Sequence, residues 1–234
     1  MAAPRSSKQA AGEAAVRFVK NGMVLGLGTG STVEHFLQAL ARRVDRDGLQ
    51  VIGVPTSQAT SSRAEELGIP LTTLEHHMDV DLAVDGADEV DAQFRLIKGG
   101  GGALLREKIV AASAKKVVIV IGSGKRVDRL GTSFLLPIEI TPFGQAATRR
   151  HVEREGKCKA FLRTAADGGA FLTDNGNYIL DCKFAKGIAS PVAMHRKLSE
   201  VPGVVEVGLF LDLCDVVVEG RDDGKVTVHE KPAE

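Results

Sequence analysis

Lys98 is followed by four consecutive glycines, Gly99 to Gly102, and then by Glu107 in the first turns of a predicted helix, "LIKGGGGALLREKIVAAS". Four glycines cannot pack a core, but they leave a run of amides unobstructed. The helix that follows adds its own free N–H groups, and Lys98 adds a full positive charge at the loop's entrance. Together these donors suit an oxygen that becomes negative during a reaction, where one well-aimed donor is worth about 3–4 kcal/mol in the transition state. An unperturbed glutamate, with a pKa of about 4.3, is ionised at pH 7. Such a carboxylate is a weak base toward a C–H bond unless the carbanion is stabilised as an enediolate. Donor loop and base therefore make sense as one device. The plainer alternative is a flexible glycine loop beside a surface glutamate paired to Lys108 or Arg106.

Three further stretches carry chemistry. "GLGTGST", Gly26 to Thr32, lies between a predicted strand and a predicted helix. Its glycines admit a ligand close to the backbone, Ser31 and Thr32 offer hydroxyls, and the helix N-terminus offers N–H groups to an anion. A dinucleotide loop fits poorly. Reading G-x-G-x-x-G from Gly26 puts Ser31 last, and from Gly28 it puts Val33 last. The next strand ends in "GVPTS" with no acid for a ribose. No lysine completes a P-loop. A cradle for one phosphate is the favoured reading; a tight turn with a Ser/Thr helix cap and a dinucleotide site are the others.

"DGADEVD" places Asp85, Asp88, Glu89 and Asp91 after the apolar "LAV". Carboxylates gathered at a strand end repel one another, which favours keeping one protonated. A protonated and an ionised acid side by side can exchange protons with a hydroxyl and a ring oxygen. Asp85 and Asp88, with Gly86 and Ala87 between them, take that role here; Glu89 and Asp91 are expected in a solvated acidic turn. "IGSGKR" ends another predicted strand and offers Lys125 to a phosphate or hydroxyl, with a solvated lysine as the alternative. Lys8, before the first helix, is a weaker phosphate candidate.

The elements that must position these residues alternate. "AAGEAAVRFV", "STVEHFLQALARRV" and "QATSSRAEELG" read as helices; "MVLGLG", "QVIGVP", "DLAVDGADE" and "KKVVIVIG" read as strands. Continuous β-branched runs between amphipathic helices predict a parallel sheet covered on both faces. From Phe134 the order becomes β-α-β-β-α-β, with "LPIEIT", "KAFLRT", "AFLTDNGNYILDC" and "VVEVGLFL" as its strand segments. That is the split-βαβ pattern. The expectation is an α/β fold: a Rossmann-like parallel-sheet domain, residues 1–133 plus 208–234, and a smaller α+β ferredoxin-like domain, residues 134–207. The tail, "DVVVEGRDDGKVTVHE", reads as two strands around an "RDDG" turn that return to the first sheet. "MAAPRSS" is expected to be disordered.

Composition narrows the classes. The chain has 234 residues, with thirty basic side chains balancing thirty acidic ones, so net charge gives no reason to invoke nucleic acid or an anionic membrane. The longest apolar run, "VVIVI", is too short to span a bilayer. The start lacks the apolar core of a secretory signal. Three scattered cysteines, Cys158, Cys182 and Cys214, imply no disulfide framework and suit a reducing compartment: the cytoplasm, or an organelle stroma. No histidine pair has metal spacing, and no metal is expected. With no G-x-S-x-G elbow, a serine hydrolase is not expected.

Taken together, "GLGTGST", "DLAVDGADEVD", "KGGGGALLREK", "GSGKRVD", "TDNGNYILD" and "PGVVEVGLF" closely resemble the blocks of the ribose-5-phosphate isomerases of the A type, in that family's order. The resemblance runs from about Lys8 to the 220s. It implies interconversion of ribose 5-phosphate and ribulose 5-phosphate in the pentose phosphate pathway, no cofactor, and a homodimer or homotetramer. Matched by motif, Glu107 is the catalytic base. Thr29, Gly30, Ser31, Thr32, Asp85, Gly86, Ala87, Asp88, Lys98, Gly99, Gly100, Gly101 and Lys125 fall in substrate-binding segments. One departure is the fourth glycine of the loop, where many relatives carry alanine or another residue. Two other classes stay open: an enzyme like the coenzyme A transferases with a glutamate nucleophile, and a non-catalytic sugar-phosphate-binding protein.

Overall fold

The computed structural model describes residues 6–232. The segment expected to be disordered, "MAAPRSS", lies outside the described residues except for Ser6 and Ser7. Those two are ordered: the Ser6 hydroxyl accepts from the Gln9 N–H at 3.2 Å and caps the first helix, which Ser7 opens.

In chain order the elements begin with α1 (Ser7–Ala15), a single 3-10 turn (Val16–Phe18), β1 (Met23–Leu27), α2 (Ser31–Asp47), β2 (Val51–Pro55), α3 (Gln58–Glu66) and β3 (Leu82–Gly86). Then come β4 (Glu89–Val90), β5 (Leu96–Ile97), α4 (Leu104–Ala112), β6 (Val117–Ile121), β7 (Leu136–Ile140), α5 (Gln145–Gly156) and β8 (Lys159–Leu162). The chain finishes with β9 (Tyr178–Lys183), α6 (Pro191–Ser199), β10 (Val204–Val207), β11 (Leu209–Phe210), β12 (Val216–Gly220) and β13 (Val226–Glu230).

The chain packs as two units. One takes the chain up to Ala87, Arg106–Lys125 and the segment from Leu213 onward; the other takes Asp88–Leu105 and Arg126–Asp212. The sequence placed the divisions at 133/134 and 207/208. The difference is chiefly the segment 88–105, which holds the glycine loop. It clusters with the smaller unit because β4 and β5 pair with β11 and not with the large sheet.

The first unit is built on a sheet of order β13-β12-β6-β3-β1-β2. β12, β6, β3, β1 and β2 run parallel, and β13 returns antiparallel to β12, with Val216 opposite Glu230. β6 is buried along its whole length, as a strand covered on both faces must be. Helix α2 turns Val33, Phe36, Leu37 and Leu40 inward at helical spacing, and they pack with Leu25, Leu27, Val84, Val118 and Val218. This helix ends at Gly48 in the left-handed conformation, φ 65°.

The second unit carries an antiparallel sheet of order β10-β7-β9-β8 with α5 and α6. Renumbered by chain order, that is 4-1-3-2, the ferredoxin-like arrangement. Its core gathers Leu136, Ile138, Ile140, Val152, Leu180, Leu198 and Val207. Two expected strands come out differently. "AFLT" forms only a lone bridge, Ala170 to Thr164, before the turn at Asn175 and Gly176. "VVEVGLFL" breaks into β10 and β11 at Gly208, where a Cβ would stand 2.5 Å from the Lys98 carbonyl oxygen.

Candidate active site

The parallel strands of the first unit all end at one sheet edge. There the chain leaves β1 through Gly28–Gly30, leaves β3 through Gly86 and Ala87, and leaves β6 through Gly122–Lys125. This edge is where parallel sheets take ligands. Gly30, at φ 127°, bends the chain into the N-terminus of α2. Helix α2 is 17 residues long, and its first N–H groups belong to Ser31, Thr32 and Val33. Ser31 is exposed, and Lys8 donates to its hydroxyl at 3.0 Å. The residue rated a weak phosphate candidate therefore brings its charge directly to the loop. Lys125 sits half-buried at the same edge.

Glu34, in the first turn of α2, would oppose an anion at this terminus. It is instead neutralised: Arg63 from α3 approaches its carboxylate at 2.7 Å, and the bond to that guanidinium holds the Glu34 carboxyl below its ordinary value. Thr29 turns inward. Its hydroxyl lies within 2.8 Å of both Thr56 and Ser57 and 3.1 Å of Thr60, while Thr60 donates to the Gly28 carbonyl. These hydroxyls follow β2 and fix the backbone of the turn between β1 and α2. The sequence showed them as "PTSQAT" but gave no sign that they would meet Thr29.

Asp85 is the penultimate residue of β3 and is 6 % exposed. Its Oδ1 accepts from the Thr29 N–H at 3.0 Å and the Gly86 N–H at 2.7 Å. Gly28 leaves room for this, since a Cβ there would stand 2.1 Å from Asp85 Oδ1.

Glu107 lies on the inner face of α4 and is 5 % exposed. Its direction follows from two contacts. Val110 rests against Gly26 in β1, and the Val80 N–H, just before β3, donates to the Ser113 carbonyl at 2.9 Å. Helix α4 thus ends near the start of β3 and runs opposite to the strands. Glu107 lies about one turn before Val110, displaced toward the edge that carries Gly28 and Asp85. The alternative of a solvated glutamate paired on the surface does not fit this burial.

In the second unit Asp88 lies at the start of β4. Its Oδ2 accepts from the Gly100 N–H at 2.8 Å, and its own N–H donates to the Ile97 carbonyl at 2.8 Å. A Cβ on Gly100 would stand 2.6 Å from Asp88 Oδ1, so the missing side chain is what lets carboxylate and loop meet. Lys98 is 3 % exposed, with its ammonium 5.3 Å from the ring centre of Phe210. Gly99, Gly100 and Gly101 follow it in the loop; the approach of the Phe210 ring to Lys98 was not legible in the sequence.

Glu89 and Asp91 are not in a solvated turn. Glu89 is fully buried and accepts from the N–H groups of Gly131, Ser133 and Phe134 and from the Ser133 hydroxyl, at 2.5–2.8 Å. Asp91 is 2 % exposed; it closes its own turn onto the Gln93 and Arg95 N–H groups and pairs with the Arg95 guanidinium at 2.6 Å. Both carboxylates hold structure. The four acids of "DGADEVD" therefore divide by position: Asp85 and Asp88 bind loop amides of the two candidate segments, and the later two organise the smaller unit.

Residues 52–224 match the family model described as ribose 5-phosphate isomerase A (phosphoriboisomerase A). The chain belongs to that family. A ribose-5-phosphate isomerase A of Roseiflexus sp. is 49 % identical, with 97 % of each chain covered. One from Synechococcus sp. is 47 % identical over 98 % of this chain and all of its own. Among solved structures, the ribose 5-phosphate isomerase of Plasmodium falciparum superposes with a TM-score of 0.93 at 36 % identity, covering 97 % of this chain and 98 % of its own. A D-ribose-5-phosphate isomerase in complex with phospho-erythronic acid gives a TM-score of 0.91 at 38 % identity, covering 95 % and 97 %. Ribose 5-phosphate isomerases A are thus similar to this chain over nearly its whole length. Among the described residues, no group of three His, Cys, Asp or Glu side chains could hold a metal ion, and no helix is long and apolar enough to cross a membrane.

Proposed function

We propose that the chain interconverts D-ribose 5-phosphate and D-ribulose 5-phosphate by proton transfer through an enediolate, with Glu107 as the base. Family membership supports the substrate pair. The observation that carries the mechanism is the placement of Glu107: a buried carboxylate on the inner face of α4, displaced toward the sheet edge that carries Asp85 and the N-terminus of α2.

In this reading the amides and hydroxyls of Ser31 and Thr32, with Lys8 and Lys125, hold the phosphate. The α2 terminus favours the anion, and Arg63 removes the opposing charge of Glu34. Asp85 and Asp88 assist opening of the furanose, one donating to the ring oxygen and one taking the anomeric proton. Glu107 removes the proton from C2 and returns it to C1. Lys98 and the amides of Gly99, Gly100 and Gly101 stabilise the enediolate. They lie only a few residues before Glu107 in the chain, and the loop runs straight into α4. Phospho-erythronic acid, held by a related isomerase, supports the same reading. A carboxylate on a phosphorylated polyol has the charge and planarity of an enediolate.

The test is ribulose 5-phosphate formation from ribose 5-phosphate, with unphosphorylated ribose as control. Turnover of the phosphate ester alone is expected. Binding without turnover, or a thioester trapped on a glutamate with coenzyme A, would overturn the proposal.

Gly28→Ala tests the contribution of Asp85. The new methyl would overlap the Asp85 carboxylate and also its Cα, at 2.6 Å, so β3 must give way locally and the carboxylate shifts off the Thr29 and Gly86 amides. A shift of about 1 Å in a catalytic group costs on the order of 10²-fold, and kcat/KM is expected to fall by at least that, measured below the thermal midpoint of the variant so that the folded fraction is compared with the folded parent.

A further inference from the structure

Arg163 directly follows β8 and uses its guanidinium as a fork with two sides. Nε and Nη2 meet the two carboxylate oxygens of Asp181 at 2.9 and 2.6 Å. Nη1 turns the other way and donates to the carbonyl oxygens of Gly99 at 2.9 Å and Gly100 at 3.1 Å. The pair is mostly shielded, with side chains 14 % and 19 % exposed. The Phe171 ring lies 5.6 Å from the Arg163 Cζ, and its edge fills the place a Cβ would take at Gly102. A charged group so well placed on two consecutive backbone carbonyls, 63 and 64 residues away in sequence, is not explained by the stability of β8.

The two carbonyls belong to the peptide groups Gly99–Gly100 and Gly100–Gly101. No peptide bond among the described residues is cis, so in each group the N–H points opposite to the C=O. Holding the carbonyls therefore aims the amides of Gly100 and Gly101. The first of these donates to Asp88 Oδ2. The second is the next donor of the glycine loop. A cation on the carbonyl side also polarises each peptide, which strengthens its N–H as a donor. Because Asp181 balances Arg163, the device adds orientation without adding net charge.

We propose that Arg163, clamped by Asp181, is a positioning residue for the isomerisation: it sets the glycine-loop peptides so that the Gly100 amide fixes Asp88 and the Gly101 amide faces the developing oxyanion. This rests on the reaction assigned above. It acts through the glycine loop, by its bonds to Gly99 and Gly100, and is not one of the residues assigned to the phosphate, so its loss acts on kcat and leaves KM nearly unchanged. Lysine cannot replace it, because one ammonium cannot hold a carboxylate side-on and two carbonyls at once.

The experiment compares kcat, KM and thermal unfolding for Arg163→Lys, Arg163→Ala and Asp181→Asn on ribose 5-phosphate. Removing one oxyanion donor costs about 10²–10³ in rate, and misaiming one costs less. The expected fall in kcat is about 10–100-fold for both Arg163 variants and somewhat smaller for Asp181→Asn, with KM within about threefold. Free guanidinium is expected to restore part of the rate of Arg163→Ala and none of that of Arg163→Lys. A parental kcat in Arg163→Lys and Asp181→Asn overturns the proposal. So does a loss of rate that tracks the unfolded fraction and vanishes on cooling. If Arg163→Ala fails to fold, the other two variants decide. A parent without isomerase activity would instead sink the underlying reaction, which separates the two failures.

Discussion

Glu107→Gln is expected to lower kcat by about 10³-fold while KM stays within about threefold, since a positioned general base contributes 10²–10⁴. Glutamine keeps the shape and most of the packing of a side chain that is 5 % exposed, but it cannot take a proton from carbon. Substrate is expected still to bind, because the proposed phosphate cradle at Ser31, Thr32 and Lys8 is untouched. Glu107→Asp should fall between the two. It keeps the charge but withdraws it by a methylene, and a displacement of about 1 Å is worth about 10²-fold. The ranking parent, Asp, Gln is specific to a base. A glutamate that served only to fill space would give Gln near the parent and Asp as the poorer enzyme. Turnover by Glu107→Gln within a few-fold of the parent removes Glu107 from the chemistry.

The second large effect is on stability. Glu89→Ala strips the buried carboxylate that receives the amides of Gly131, Ser133 and Phe134 and the Ser133 hydroxyl. A buried donor such as the Gly131 N–H left without an acceptor costs about 1–3 kcal/mol, whereas the exposed Ser133 is reached by water after the cut. A net loss of about 3–5 kcal/mol is expected, a large part of the 5–15 kcal/mol that stabilises an ordinary domain. At this size such a loss lowers the thermal midpoint by about 6–20 °C. Glu89→Gln recovers only part of it, because its amide offers one acceptor and turns two donors toward groups that also donate. Asp45, exposed in the last turn of α2, serves as the control: Asp45→Ala is an acid-to-alanine change at the surface. A midpoint for Glu89→Ala within about 3 °C of the parent, measured by circular dichroism, would show that the four bonds are not worth what their geometry suggests.

Glu89 also shows where sequence reading stops. "DGADEVD" presents four acids in seven positions, and local pattern distinguishes them only weakly. What separates them is partner choice: Asp85 meets an amide 56 residues earlier in the chain, and Glu89 meets amides 42 to 45 residues later. Such pairings are set by topology, and no periodicity encodes them. The same holds for Arg163 on the glycine loop and for Thr56, Ser57 and Thr60 around Thr29. By contrast, the parallel sheet was legible because β1, β2, β3 and β6 are short apolar runs separated by amphipathic helices, a pattern with few other solutions. The glycine-rich turns were legible because glycine, hydroxyl and acid at strand ends have few structural uses in common. The strand expected at "AFLT" failed for a physical reason as well: Phe171 turns to cover Gly102 and Arg163 and does not extend a ladder.

The route of one hydrogen tests the central claim most directly. Ribose 5-phosphate carrying deuterium at C2 is converted by the parent enzyme in ordinary water, and label and rate are followed together by NMR. Transfer through a carboxylate and an enediolate predicts a primary slowing of the reaction and release of at least part of the deuterium to solvent. Complete retention of the label at C1 of ribulose 5-phosphate, at a rate indifferent to Glu107→Gln, would contradict it and point to direct hydride migration with no base.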